Sequence, residues 1–130
     1  MAYFSFTDAL KKGKTVKIHN NGFMMRDMTY IDDVIQGVVK SIDFLMNSKE
    51  EINNELFNIG NNSPISTLEL LQTIEDNLNI KAQIEKIEIS GESFFTHANL
   101  DKSKSILGYN PKTILDDGIK EFLDWHRTYG

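Results

Sequence analysis

The chain has 130 residues, of which 40% are hydrophobic and 25% charged, and its formal net charge at pH 7 is −5. These values predict one soluble domain with a buried core and argue against a nucleic-acid or anionic-membrane partner. The chain has no cysteine, which excludes disulfides and thiolate metal sites. No apolar run reaches the roughly 18 residues of a membrane span, and no signal-peptide pattern is present, so we expect no membrane association and a cytoplasmic protein.

Helices and short strands are predicted to alternate along the chain. The segments with apolar residues at helical spacing are residues 2–13, 34–47, 66–78, 100–108 and 113–130. The segments interpreted as strands are TVKIHN (15–20), RDMTYI (26–31), ELFNIGN (55–61) and KAQIEKIEI (81–89). The stretch NNG (20–22), at the end of the first of them, predicts a turn. This order predicts a mixed α/β domain whose strands are too short for a large sheet.

Capping residues mark the ends of several predicted helices. The residues expected to cap helix N-termini are Asp32 or Asp33, Ser66 with Glu69, Asp101, and Thr113 with Asp116. Gly13 and Gly108 are expected to close the first and fourth helices. The helix at 34–47 carries an apolar face formed by Val34, Ile35, Val38, Ile42 and Leu45.

The sequence contains no complete set of catalytic residues. It has no GxSxG elbow, no P-loop, no GxGxxG loop and no Tyr-x-x-x-Lys pair. Its three histidines lie far apart without metal-ligand spacing. The sequence therefore predicts neither a catalytic residue nor a metal site.

Arg26, in the stretch MMRDMTYIDD (24–33), is a candidate for anion binding. A guanidinium stays charged at working pH and binds phosphate through paired hydrogen bonds. The alternative is a salt bridge with Asp27, Asp32 or Asp33, which spacing alone favours. The paired aspartates Asp32 and Asp33 could also act as acid and base or as metal ligands, although their place before a helix favours capping.

The loop SGESFFTHAN (90–99) has two open interpretations. Its polar side chains beside two phenylalanines could contact a sugar. A folded-over edge strand is equally compatible with the pattern.

Four segments carry a pattern that covers most of the sequence: MAYFSFTDALKKGKTVKIHNNGFMMRDMTYIDDVIQGV (1–38), FNIGNNSPIS (57–66), GESFFTHANLDKSKSILGYNPKT (91–113) and GIKEFLDWHRTYG (118–130). In this order they resemble the substrate-binding region of NAD-dependent nucleotide-sugar epimerases, in the extended short-chain dehydrogenase/reductase family, and most closely UDP-glucuronate 4-epimerases. The resemblance covers essentially the whole chain.

The resemblance implies that residues 1–130 form one substrate-binding domain of mixed α/β fold with α+β character. This would be the C-terminal portion of such an enzyme, without its N-terminal NAD-binding Rossmann domain. The parent enzyme would use NAD, and the fragment alone is expected to hold no cofactor and to be inactive. The alternatives are a segment of a related dehydratase, decarboxylase or reductase, or a non-catalytic binding or oligomerisation remnant.

The resemblance also assigns binding roles for a UDP-sugar. Arg26 would bind the UDP diphosphate. The backbone of Lys17, Ile18 and His19 would contact the uracil, and the candidates for lining the pocket are Glu92 and Thr96. Ile89 stands where the family often has a second basic or polar group. Lys86 could replace that group, the loop could shift its register, or binding could be weak.

The face that would pack on the missing half should contain exposed apolar side chains. Exposed apolar surfaces favour association. We therefore expect a homodimer, or another association through this face.

Overall fold

The computed structural model describes residues 1–48 and 54–130. Within these ranges the helices are α1 (Ala2–Lys11), α2 (Ile31–Asn47), α3 (Thr67–Leu78), α4 (Asp101–Leu107) and α5 (Leu115–Tyr129). The strands are β1 (Val16–His19), β2 (Met25–Asp27), β3 (Pro64–Ser66), β4 (Ile84–Ile87) and β5 (Phe95–Thr96). This is the mixed α/β architecture with short strands that the sequence predicts.

The chain divides into two compact units. The first comprises Met1–Arg26, Ile65–Thr96 and Ile114–Gly130, and the second comprises Asp27–Pro64 and His97–Thr113. Each is built from segments distant in sequence.

The first unit packs α1, α3 and α5 around the parallel pair β1–β4. The pairing runs in register from Val16 opposite Ile84 to His19 opposite Ile87. A second sheet has the strand order β3-β2-β5, with β2 and β5 parallel. The buried apolar side chains of this unit are Phe6, Leu10, Val16, Ile18, Met24, Ile65, Leu70, Leu71, Ile74, Ile119 and Leu123.

The second unit contains α2 and α4 around a smaller core. Its buried members are Leu100, Leu107 and Tyr109, packed against Phe44, Phe57, Ile59 and Ala98. The Tyr109 hydroxyl donates a 2.7 Å hydrogen bond to the Gly60 carbonyl, which satisfies the polar end of this buried ring. At Gly37 of α2, an added Cβ would lie 2.5 Å from Ile59 Cδ1, so glycine permits the close approach of residue 59 to the helix.

Ser66 caps α3 as predicted. Its Oγ accepts the Glu69 N–H at 3.0 Å. Gly108 follows α4 with φ of 63°, a left-handed conformation that glycine adopts without steric cost, as the sequence indicated.

The other predicted N-terminal caps are wrong. Helices α2, α4 and α5 begin after Tyr30, Leu100 and Ile114, and none of these three has a side-chain capping bond. The aspartates have other partners: Asp33 binds backbone N–H groups at residues 112 and 113, and Asp116 accepts from Asn77.

The predicted strand ELFNIGN (55–61) is also not formed. These residues have no regular secondary structure, and the strand of this region is Pro64–Ser66. A strand needs a hydrogen-bonded neighbour, which residues 55–61 do not have among the described residues.

The apolar face predicted on α2 is present, but it faces solvent. Seven of its apolar side chains expose about half of their surface or more: Ile31, Ile35, Val38, Val39, Ile42, Leu45 and Met46. The buried side of the helix is instead the one that carries Gly37 and Phe44. Within the described ranges, no helix has the length and hydrophobicity needed to cross a membrane.

Replacing Ser66 by Ala should destabilise the protein by about 1 kcal/mol, because an N–H at the start of α3 would lose its acceptor. Urea unfolding measures this change. Ser90→Ala, in an exposed loop, is the matched control and should leave the unfolding midpoint unchanged. An equal effect of the two substitutions would contradict the capping role of Ser66.

Candidate functional site

The site is built at the carboxyl ends of β1 and β4. Because these strands are parallel, the residues that follow them emerge at the same edge of the pair. His19 ends β1, and the loop 88–92 begins directly after Ile87 of β4. The strand pairing therefore brings two segments about 70 residues apart to one place.

Two asparagines tie these segments together. Asn20 Oδ1 accepts the backbone N–H of Ile89 at 2.8 Å, and Asn21 Nδ2 donates to Glu88 Oε1 at 3.2 Å. Both asparagines have left-handed φ values, 46° and 57°, which asparagine tolerates better than most residues. The sequence predicts only a turn at these two asparagines. Their hydrogen bonds to the loop 88–92 were not predicted, and the one available signal was that asparagine tolerates left-handed φ values.

Glu92, at the end of this loop, lies between two basic side chains. Its Oε2 is 3.7 Å from Arg26 Nη2, and its Oε1 is 4.0 Å from His19 Nδ1. Arg26 Nη1 also donates to the carbonyl of Met25 at 2.8 Å. The three side chains are 31–40% exposed, so solvent reaches all of them.

Thr96 lies beside Arg26. The two residues are directly paired in the β2–β5 ladder. The segment 90–99 thus contains a short edge strand, β5, as one of its two interpretations predicted. Among the candidates, the structure brings Arg26, His19, Glu92 and Thr96 together.

Strand β1 has one buried and one exposed face. Ile18 is buried, whereas the Lys17 side chain points to the opposite face of the strand and is exposed. The sheet formed by β1 contains only β4 in addition, among the described residues. In the described part of the chain, one edge of β1 is therefore not paired to another strand.

The alternative salt bridge of Arg26 with a nearby aspartate is not adopted: its ion pair is with Glu92. Asp27 Oδ2 accepts the N–H groups of Asn61 and Asn62 at 3.2 and 3.0 Å. Asp33, which is buried, accepts those of Lys112 and Thr113, each at 3.0 Å. These two carboxylates bind the backbone of loop segments, a role that the sequence motif did not reveal.

A second polar cluster joins α1 to α5. Buried His126 lies between Asp8, 3.0 Å from its Nε2, and Lys11, 2.8 Å from its Nδ1. The hydrogen bond from Lys12 and the contact with His126 lower the pKa of Asp8, with partial burial opposing them. No group of three or more His, Asp or Glu that could hold a metal occurs in the described part of the chain.

The chain is similar in sequence to sugar-nucleotide enzymes. It is 36% identical over 141 residues to UDP-glucuronate 4-epimerase 4 of Arabidopsis thaliana, covering 99% of this chain and 32% of that protein. It is 37% identical over 126 residues to an uncharacterized protein, MJ1055, of Methanocaldococcus jannaschii, covering 96% of this chain and 37% of that one. The chain thus spans about a third of the length of these curated relatives. No family model matches it.

The fold is also that of a solved epimerase. UDP-glucuronic acid 4-epimerase from Bacillus cereus, in complex with UDP-glucuronic acid and NAD, superposes with a TM-score of 0.88 and 28% identity. The match covers 100% of this chain and 40% of that one.

Asp33→Asn should destabilise the protein at pH 7 by roughly 1–3 kcal/mol, because the part-buried hydrogen bonds from the N–H groups of Lys112 and Thr113 would lose a charged acceptor. Burial raises the pKa of Asp33, but the N–H groups of Thr113 and Lys112 lower it by more, so the net pKa lies below the ordinary value. The stabilisation is therefore present above the unfolded-state pKa and is lost as pH falls through the folded-state pKa.

Urea unfolding of the wild type and Asp33→Asn between pH 7 and pH 3 measures this difference. The difference in unfolding free energy between the wild type and Asp33→Asn should become smaller towards pH 3. Asp32→Asn, at the exposed neighbouring position, is the control. A difference in unfolding free energy that stays constant with pH would contradict the role of the Asp33 charge.

Proposed function

The chain belongs to the family of NAD-dependent nucleotide-sugar epimerases and dehydratases, and we propose that it binds the UDP part of a nucleotide sugar through Arg26 and the β1 backbone. The proposed substrate is UDP-glucuronate or a related UDP-hexose, and the proposed reaction of the parent enzyme is 4-epimerisation. The similarity to proteins named for that reaction supports this choice.

The observation that carries the proposal is the setting of Arg26. Its guanidinium is about one-third exposed at the edge where β1 and β4 end, and its ion-pair partner is Glu92 at 3.7 Å. That distance exceeds hydrogen-bond length, and exposed ion pairs contribute only about 0–1 kcal/mol. A charge-assisted hydrogen bond to phosphate contributes about 1.5–3 kcal/mol. A diphosphate can therefore displace Glu92 from the arginine.

The edge of β1 that is not paired to a strand in the described chain is the second part of the proposed site. There the backbone groups of Lys17, Ile18 and His19 would donate to and accept from the edge of a uracil. Thr96 and the displaced Glu92 would line the pocket beside the diphosphate.

The diphosphate would be held by one arginine. Ile89, at the position where the family often has a second basic or polar group, has an apolar side chain, and its N–H is occupied by Asn20. Arg127, the other arginine of the sequence, is exposed on α5 and pairs with Asp124 at 2.9 Å. Losing one charged contact weakens binding by about tenfold or more, so we expect modest affinity.

Catalysis would need residues that this sequence does not contain. NAD supplies reversible hydride transfer in enzymes of this kind. This chain has no GxGxxG loop to hold the cofactor and no Tyr-x-x-x-Lys pair for proton transfer. Its own contribution would be to bind UDP, remote from the reacting sugar carbon, and so to orient the sugar.

Arg26→Ala should weaken UDP binding by about tenfold or more, because the diphosphate would lose its charged donor. An amide NMR titration with UDP measures the affinity, and the shifts in the wild type should centre on residues 17–19 and 26. Arg127→Ala is the matched control and should bind like the wild type. Equal affinities for the Arg26→Ala variant and the wild type would contradict the proposed diphosphate site.

Glu92→Gln should strengthen UDP binding by about two- to fivefold, because it removes a carboxylate that competes with the diphosphate for Arg26. Isothermal titration with UDP measures the change. Glu69→Gln, at an exposed position on α3, is the control and should bind UDP like the wild type. Weaker binding by Glu92→Gln would show that the carboxylate contacts the ligand directly.

The purified chain should have no epimerase activity even when NAD is added, because the hydride acceptor and the proton-transfer residue would be held elsewhere. Incubation with UDP-glucuronate and NAD, followed by chromatography of the sugar nucleotides, tests this. Formation of UDP-galacturonate above the rate of a heat-denatured control would refute it.

A further inference from the structure

Asn21 and Gly22 form the one Asn-Gly pair of the sequence, and they follow β1 within the candidate site. An asparagine side chain loses its amide group when the backbone nitrogen of the following residue attacks its Cγ. Glycine hinders this attack least, because it has no Cβ. Asn21 is therefore the asparagine of this chain whose sequence neighbour most favours such a reaction.

The fold requires the glycine of this pair. Gly22 has a φ of 77°, and an added Cβ would lie 2.5 Å from Leu68 Cγ and 3.0 Å from Ile18 Cγ2. A side chain at residue 22 would therefore strain the backbone and collide with both α3 and β1. Residue 21 is less constrained, because its φ of 57° is open to glycine and aspartate as well as to asparagine.

The turn formed by residues 20–22 must open before the reaction can occur. Asn21 has a ψ of 10°, which holds the Gly22 nitrogen close to the backbone nitrogen of residue 21 and away from the side-chain Cγ. The Asn21 side chain is held by a hydrogen bond of 3.2 Å to Glu88 Oε1, which is exposed to solvent. Exposed hydrogen bonds open readily in local fluctuations. We therefore expect the folded chain to react, but more slowly than a free peptide of the same sequence.

We propose that Asn21 is a site of non-enzymatic deamidation, which releases the loop 88–92 from the end of β1 and weakens the proposed nucleotide site. The Gly22 nitrogen gives its proton to a solvent base and bonds to Asn21 Cγ, and the side-chain amide takes a proton from solvent and leaves as ammonia. Water then opens the five-membered imide at either carbonyl, which gives aspartate or isoaspartate. The net reaction consumes one water and releases one ammonia, without oxidation or reduction. The effect on binding rests on the proposed function, whereas the chemical step does not.

Both products disturb the contacts that hold the loop 88–92. Aspartate at residue 21 places a carboxylate where Asn21 Nδ2 now donates to Glu88 Oε1, so a hydrogen bond becomes a repulsion between like charges. Isoaspartate also adds one carbon to the backbone, which would move Asn20 away from the Ile89 N–H that it binds at 2.8 Å. The loop then loses its attachment to the end of β1, and the site gains a negative charge that opposes a diphosphate.

Peptide mapping tests the chemical step. The purified wild type is incubated at mildly alkaline pH, because the deprotonated backbone nitrogen is the nucleophile, and is then digested with trypsin. Cleavage after Lys17 and Arg26 gives the peptide 18–26, whose asparagines are Asn20 and Asn21. Fragmentation in the mass spectrometer locates the change of –NH2 to –OH and distinguishes aspartate from isoaspartate.

The chain offers two controls for this measurement. The peptide 105–112 of the same digest contains Asn110, which precedes Pro111, and the proline nitrogen has no proton to give up. Asn21→Gly is the matched variant, because glycine adopts the left-handed φ of residue 21 and has no amide group to lose.

Peptide 18–26 of the wild type should accumulate aspartate and isoaspartate at Asn21, and faster as the pH is raised. Peptide 105–112, and peptide 18–26 of Asn21→Gly, should remain unchanged. Two results would overturn the proposal: no product at Asn21 during the time in which a synthetic peptide 18–26 is fully converted, or conversion of Asn110 at the rate of Asn21.

Asn21→Asp tests the effect on the loop and on binding. The amide proton of Ile89 should shift upfield from its wild-type position, because its hydrogen bond to Asn20 Oδ1 weakens. UDP should bind about two- to fivefold more weakly than to Asn21→Gly, which loses the same bond to Glu88 without gaining a charge. An unchanged Ile89 shift, or equal UDP affinities of the two variants, would overturn the proposed effect. Absence of UDP binding by the wild type would instead refute the proposed function, which the peptide map and the Ile89 shift do not involve.

Discussion

The parallel pairing of β1 with β4 is the constraint on which the candidate site depends. Val16 and Ile18 of β1 are buried, which fixes the face of the strand and hence the direction of Lys17 and His19. The register then places the loop after Ile87 beside the end of β1. A shift of the β1–β4 register by one residue would expose Ile18 to solvent. The free-energy cost of that exposure stabilises the observed register, and with it the geometry of the site.

Hydrogen bonds of two asparagine side chains then hold the loop after β4 beside the end of β1. Asn20 and Asn21 hold the loop 88–92 at its start, and the loop delivers Glu92 to Arg26 and His19. The weak Arg26–Glu92 contact leaves the guanidinium available to a stronger anion. In the proposed site, stability and ligand binding would use different groups. The buried apolar residues and the asparagines fix positions, and the partly exposed charged side chains would contact the ligand.

Much of the fold could be predicted from local sequence. Helix periodicity located all five described helices, and the Ser66–Glu69 spacing identified a true cap. Prediction failed where tertiary partners determine the outcome. Asp33 and Asp116 looked like caps, but they bind a distant loop and a neighbouring helix. Residues 55–61 had the pattern of a strand, but a strand forms only beside a neighbour.

The candidate site, like the fold, could be predicted from local sequence only in part. Arg26 could be selected from sequence because a lone arginine in an apolar stretch resembles a family motif. Its partner Glu92 lies 66 positions further along the chain, and local spacing favoured the aspartates next to Arg26 instead. The roles of Asn20 and Asn21 also depend on the β1–β4 pairing, so the sequence indicated only a turn.

The most direct test of the proposed binding site is a set of intermolecular nuclear Overhauser effects between UDP and the isotope-labelled chain. We expect cross-peaks from the uracil H5 and H6 protons to the amide protons of residues 17–19, and from the ribose to the side chain of Thr96. Cross-peaks from uracil to residues elsewhere, or none at saturating UDP, would contradict the assignment of β1 and Arg26 as the nucleotide site.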